Sequence, residues 1–169
     1  MLSELSLPVS LSSRAGEVRL RRAVADDLPG LMALLSDDPI SAARGDRADD
    51  ADEGAYAGAL RRVLQAPLND LLVVDDAEGA LVGTLQLTVI PGMARQGATR
   101  LLVEAVRVSS SVRSGGIGSA VMRWVMHVAA PATGATLVQL TSDAARVDAH
   151  RFYTRLGFAA SHIGFKYAL

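Results

Sequence analysis

The chain has 169 residues, half of them apolar, a formal charge of −1 and no cysteine. That is one domain's worth of ordinary globular composition. It excludes disulfides, thiolate metal sites and a cysteine acyl-enzyme, and it offers no basic field for nucleic acid.

The leader "MLSELSLPVSLSSRAGE" lacks a basic start, and Glu4 and Pro8 interrupt its apolar residues, so it does not read as a signal peptide. Residues 1–17 are expected to be loosely ordered. No apolar run of membrane-spanning length follows, so no membrane partner and a cytoplasmic location are expected. All but Lys166 of the 17 basic residues are arginine, a bias that fits a GC-rich genome.

"EVRLRRAV" alternates as a strand, and "DDLPGLMALLSDD" reads as a helix capped by Asp26 or Asp27, with Leu28, Leu31, Met32 and Leu35 on one face. Residues 37–53 are acidic and turn-prone and are expected to form a loop; "GAYAGALRRVLQA" is a second helix. "DLLVVDDAEGALVGTLQLTVI" predicts two strands around an Asp/Gly turn. After a turn at 91–97, "TRLLVEAVRV" is a fourth strand. Ile117, Ala120, Val121, Trp124, Val125, Val128 and Ala129 then recur at helical spacing. "ATLVQLTSD" is a fifth strand, "DAHRFYTRLGF" a last helix ended by Gly157, and "SHIGFKYAL" a terminal strand. The order βααββββαβαβ predicts a mixed α/β domain around one sheet.

The informative junction is "VRVSSSVRSGGIGSAV", where a strand breaks into glycines at the mouth of a helix. Interior glycine costs about 1 kcal/mol relative to alanine, so some function should offset it. The first N–H groups of a helix lack partners and its dipole is positive there, which makes a cradle for phosphate. Arg113 adds a bidentate cation. A Walker loop fails for want of lysine, and a Rossmann fingerprint fails because Val121 stands where its third glycine belongs.

Arg113-x-x-Gly116-x-Gly118 directly after "VEAVRV" resembles the pyrophosphate motif of the GNAT superfamily of acyl-CoA-dependent N-acetyltransferases. "DAHRFYTRLGF" resembles that family's later A-x-x-F-Y-x-x-x-G-F segment, and "VRLRRAVADDLPGLMALL" its first strand and helix. The resemblance covers most of residues 18–169, taken as a single N-acetyltransferase domain. It implies a splayed, mainly antiparallel sheet of six to seven strands flanked by about four helices. It also implies acetyl-CoA as acyl donor, with pantetheine along Val106, Arg107 and Val108. The diphosphate would lie on the amides of Arg113, Ser114, Gly115, Gly116, Ile117, Gly118 and Ser119, and the Val106 N–H would polarise the acetyl carbonyl.

The same resemblance places Tyr153 as the acid for the departing thiolate and Glu104 near the acceptor amine. Glu104 is also the one acid in an apolar strand, and alternation puts it on a face with Val106 and Val108. Without cysteine, direct transfer in a ternary complex is expected. The alternative for Glu104 is a solvated or salt-bridged strand residue, with Arg107 or Arg100 as the partner in the second case. The family often carries Asn where this chain has Arg146. No histidine has metal-site spacing. A small-molecule or peptide amine is the expected acceptor, and a homodimer is a reasonable assembly. The rival reading is an acyl-CoA-binding sensor without turnover.

Overall fold

The computed structural model describes residues 1–169. They divide into two compact units, Met1–Gln139 and Leu140–Leu169.

β1 (Val9–Ser13), β2 (Gly16–Arg22), β3 (Asn69–Asp75), β4 (Leu81–Ile90), β5 (Arg100–Val108) and β6 (Leu137–Leu140) form one sheet in that order, all of it but Leu140 in the first unit. The pairs from β1 through β5 are antiparallel. Helices α1 (Leu28–Ser36) and α3 (Asp50–Gln65) pack on β4 and β3 respectively, with the short α2 (Pro39–Ala43) beside α1. A single turn, α4 (Ala94–Gly97), precedes β5, and α5 (Ile117–Trp124) packs on β1 and β5.

β3 reads as an unbroken apolar run rather than an alternating one because both of its faces are covered. Val73 joins Ala23, Leu31 and Leu60 in one cluster. Its neighbours Leu72 and Val74, which period two turns to the other face, are equally buried. Leu20, Leu85, Leu87, Leu101 and Val103 complete the middle of the sheet. The β3–β4 turn is closed by Asp76, whose Oδ1 accepts from the N–H groups of Glu78 and Ala80, with Gly79 at φ 83°. Arg21 grips two carboxylates, Asp27 at 2.8 Å and Asp75 at 2.6 Å. Its hydrogen bonds hold the Asp27 carboxyl below its ordinary range, against the opposing effect of burial. Asp27 therefore closes the turn before α1, accepting from the Val24 N–H, instead of capping that helix.

Three expectations need correction in this unit. The leader, expected to be loose, holds β1 and buries Leu2 and Leu5; Arg22 Nη2 donates to the Leu2 carbonyl at 2.6 Å. The expected loop 37–53 contains α2 and the first turn of α3. Asp49 caps α3 by accepting from Ala51 N–H, and Asp50, Asp52 and Glu53 stand at its positive end. Those acids have a local structural use, and Asp46 accepts from the Tyr56 hydroxyl. Finally, α5 continues as a wide π turn at Val125–Ala129 into α6 (Ala130–Ala132). Pro131 has no N–H and crowds the carbonyl of His127, so the ladder widens there.

The second unit carries α7 (Val147–Arg155), closed by Gly157 at φ 94° with Phe158 N–H donating to the Tyr153 carbonyl. The terminal strand expected at 161–169 is not formed. Ile163, Phe165, Tyr167 and Leu169 are 83, 92, 90 and 117% exposed. Their alternation gives the segment the capacity for a strand, and a strand exists only once an edge pairs with it.

Candidate active site

The site begins with a fault in β5. Gln86 pairs with Glu104 and Thr84 with Arg107, so two steps on β4 answer three on β5. The surplus is a β-bulge at Ala105–Val106, opposite the fully buried Leu85. Ala105 sits at φ 50°, a left-handed conformation uncommon for a residue with a Cβ and a store of strain. The bulge breaks the expected alternation, so a shared face for Glu104, Val106 and Val108 does not follow from spacing. It also takes backbone groups at 105–106 out of the β4 ladder.

The other neighbour of β5 in the sheet is the short β6. β6 has four residues against nine in β5, and the two meet at the start of β5, where Thr136 N–H donates to the Thr99 carbonyl at 3.0 Å. Glu104 through Val108 extend past it. Glu104 is exposed. Neither expected arginine partner holds it: Arg100 Nη1 donates to Gln139 at 3.2 Å. Arg107 donates to Ser41 Oγ at 2.7 Å and to the Val106 carbonyl at 2.9 Å. The Val106 carbonyl is thus already engaged, and Arg107 ties the strand to α2.

From Val108 the chain makes a short 3-10 turn, Ser110–Val112, and enters the glycine loop. Asp37, at the end of α1, moors this turn by accepting from Ser110 N–H at 2.7 Å and from its hydroxyl at 2.8 Å. Arg113 Nη2 lies 3.9 Å from the same carboxylate, a half-exposed pair that orients more than it stabilises. The Ser110 amide, then its hydroxyl, depress the Asp37 carboxyl below its ordinary value. The mooring is therefore fully present above about pH 4 and is lost as pH falls through the depressed value. An NMR titration of the Asp37 carboxyl carbon should find a midpoint below that of a free aspartate, and Ser110→Ala should move it partway back.

The loop itself is a backbone nest. Ser114 (φ 67°) and Gly116 (φ 84°) are left-handed, and Gly116 is the N-cap of α5. The Gly115 N–H donates to the Val112 carbonyl, and the Gly116 carbonyl accepts from Ala120. No backbone carbonyl accepts from the N–H groups of Gly116, Ile117, Gly118 or Ser119. Four donors thus stand at the positive end of a helix whose Ile117, Ala120, Val121, Met122 and Trp124 are buried. Residues 106–108 end β5, and residues 113–119 follow them through the 3-10 turn into the N-terminus of α5.

In the other unit, the Tyr153 ring packs edge-on against Phe152 (centroids 5.1 Å) and Phe158 (5.8 Å). Phe152 and Tyr153 are half-buried.

Sequence reasoning missed two things here, the bulge and the hairpin β1–β2 that leans on the loop. Ala15 N–H donates to the Gly115 carbonyl at 2.8 Å and Arg14 Nη2 to the Ser114 carbonyl at 2.8 Å. A signal for the hairpin was present: Val9 and Leu11, then Arg14-Ala15-Gly16, then Val18 and Leu20.

Comparison with known proteins gives a consistent picture. The model of the acetyltransferase (GNAT) family matches residues 27–158. An aminoalkylphosphonate N-acetyltransferase from Salmonella typhimurium is 39% identical over 67 residues, 40% of this chain and 43% of that protein. The chain thus matches less than half of that relative's length. A crystal structure from Bacillus halodurans, described as a transcriptional regulator, superposes with a TM-score of 0.84 at 37% identity, covering 90% of this chain and 99% of that one. Glucosamine-6-phosphate N-acetyltransferase from Arabidopsis thaliana shares the fold at 16% identity, with a TM-score of 0.70 over 89% of this chain and 97% of its own.

Proposed function

The chain belongs to the GNAT acetyltransferase family, and on that premise we propose that it moves an acetyl group from acetyl-CoA to a primary amine of a small molecule or peptide. The observation that carries this reading is the set of unclaimed N–H groups from Gly116 to Ser119, with Arg113 beside them. A diphosphate suits that donor set. Residues 18–169 act as one N-acetyltransferase domain, and the absence of cysteine supports both direct transfer in a ternary complex and a cytoplasmic location.

Each chemical need has a candidate. An alkyl amine with pKa ~10.4 arrives protonated and must lose a proton. Exposed Glu104 accepts it, directly or through water. The tetrahedral oxyanion needs a preorganised donor, a role for the Val106 N–H at the bulge. A thiolate with pKa ~8.5 departs more easily if protonated, and the Tyr153 phenol donates that proton. Val106, Arg107 and Val108 run beside the pantetheine arm, while Arg113 and the amides of residues 114–119 hold the diphosphate. No metal takes part in this scheme.

The reading is tested by adding CoA during thermal unfolding and assaying free-thiol release across an amine panel. CoA at 100 times its Kd should add about 2.7 kcal/mol of stability. No shift in melting temperature would refute it. The Bacillus halodurans relative, described as a transcriptional regulator, favours a second reading: an acyl-CoA-binding sensor without turnover. Saturable CoA binding with no thiol release from any amine would select that one.

The exposed tail supports a homodimer. An aromatic side chain buries about 150–250 Å², and Ile163, Phe165, Tyr167 and Leu169 are all but bare. Two reciprocally docked tails would bury four aromatic and four aliphatic side chains, a substantial part of the roughly 1,600 Å² of a stable interface. Light scattering should find a dimer, and Phe165→Asp with Tyr167→Asp should give a monomer. A wild-type monomer at micromolar concentration would remove the proposal.

A further inference from the structure

The hairpin β1–β2 touches the cradle at the place where a side chain on the loop would block it. A Cβ on Gly115 would lie 2.6 Å from Ala15 Cβ, and one on Gly116 would lie 3.3 Å from the Arg14 nitrogen and 3.5 Å from its Nε. The two glycines are therefore spaces for the hairpin as well as for a ligand. The Arg14 guanidinium lies over the first turn of α5, anchored by its bond to the Ser114 carbonyl.

That position is electrostatically uphill. The N-terminus of α5 carries about half a positive charge. Arg113 stands on the same loop with Asp37 as a long-range counter-ion. Arg14 has no carboxylate partner, and its one side-chain bond is to a neutral carbonyl. Arg14 and the helix dipole stand beside the unclaimed N–H groups, and Arg113 adds a second cation to the same loop, held toward the Val108 carbonyl and Asp37. An anion carrying more than one negative charge relieves that repulsion.

The hairpin also aims the donors. In a trans peptide the C=O and the next N–H point in opposite directions. Ala15 holds the Gly115 carbonyl, so the Gly116 N–H faces away from the hairpin. Arg14 holds the Ser114 carbonyl, so the Gly115 N–H faces the Val112 carbonyl it bonds. The loop is fixed from outside before any ligand arrives.

We infer that Arg14, carried on the β1–β2 hairpin, is a second cation of the diphosphate subsite and sets coenzyme affinity together with Arg113. This rests on the acetyl-CoA reading above. The assignment belongs to the leading segment of this chain, outside the residues 27–158 that match the family.

The test is calorimetric titration of the full chain with CoA and with dephospho-CoA, which keeps the diphosphate but lacks the 3′-phosphate. Arg14→Gln should weaken both about tenfold, equivalent to about 1.4 kcal/mol, and flatten the salt dependence of binding by about one charge. Arg14→Lys should recover part of the loss. Melting temperatures without ligand should match the wild type, which separates lost charge from lost fold. If Arg113→Ala weakens CoA and Arg14→Gln does not, this inference is overturned while the cradle stands. If only CoA weakens and dephospho-CoA does not, Arg14 serves the 3′-phosphate and the diphosphate assignment is overturned. If the wild type binds neither, the acetyl-CoA reading itself has failed.

Discussion

Tyr153→Phe should lower turnover by about 10²- to 10⁴-fold, the range for losing a positioned proton donor, with CoA affinity unchanged. The substitution removes one oxygen and leaves the ring, so the edge-on packing with Phe152 and Phe158 survives. The loss should be confined to kcat, because the phenol matters once charge develops on sulfur. An acyl donor with a more acidic thiol should recover much of the rate. Full turnover in Tyr153→Phe across pH would remove the acid from the mechanism and leave departure of the thiolate to solvent.

The second large effect is expected from Gly116→Val. Gly116 holds φ 84° as the N-cap of α5, a conformation that a β-branched residue adopts only under strain. Its new Cβ would meet the backbone nitrogen of Arg14 at 3.3 Å, an atom that a hairpin cannot swing aside as a flexible side chain would. The loop must either flip out of its nest or push the hairpin away. Both outcomes turn the amides of residues 116–119 off a common target. CoA affinity should fall by at least about a hundredfold, or about 2.7 kcal/mol. Global stability should suffer less, because the buried face of α5 is set by Ile117, Val121, Met122 and Trp124. Calorimetry and circular dichroism on the same sample separate the two. Near-normal affinity would mean that the loop is not the anion site.

Much of this was legible in the residues because short-range chemistry dictated it. The Arg113-x-x-Gly116-x-Gly118 spelling needs no distant information: a left-handed N-cap and bare first-turn amides follow from the glycines and the helix period. The Asp76–Ala80 turn and the Gly157 cap are local in the same way. What stayed hidden depends on partners far along the chain. The leader becomes a strand because β2 offers an edge and Arg22 anchors its backbone, 17 and 20 residues away. The acids at 49–53 read as a solvated run until the helix they cap is in view. Ala105 gives no sign of a bulge, since nothing about alanine asks for a positive φ. The strain arises between buried Leu101 and Val103 on one side and the Arg107–Ser41 bond on the other, which fix different registers. The tail at 161–169 is the converse, a clear strand pattern that pairs with no strand.

The surplus residue in β5 has a lasting consequence for how this protein tolerates change. It behaves as an edge dislocation does in a crystal, letting two lattices that are out of step share one ribbon. Leu101 and Val103 are indexed to the interior on one side of the fault, and Arg107 to its hydroxyl partner Ser41 on the other. Exchanging one side chain for another leaves that indexing alone. Removing a single residue between them heals the fault, restores an unbroken ladder, and closes the seam where chemistry would take place.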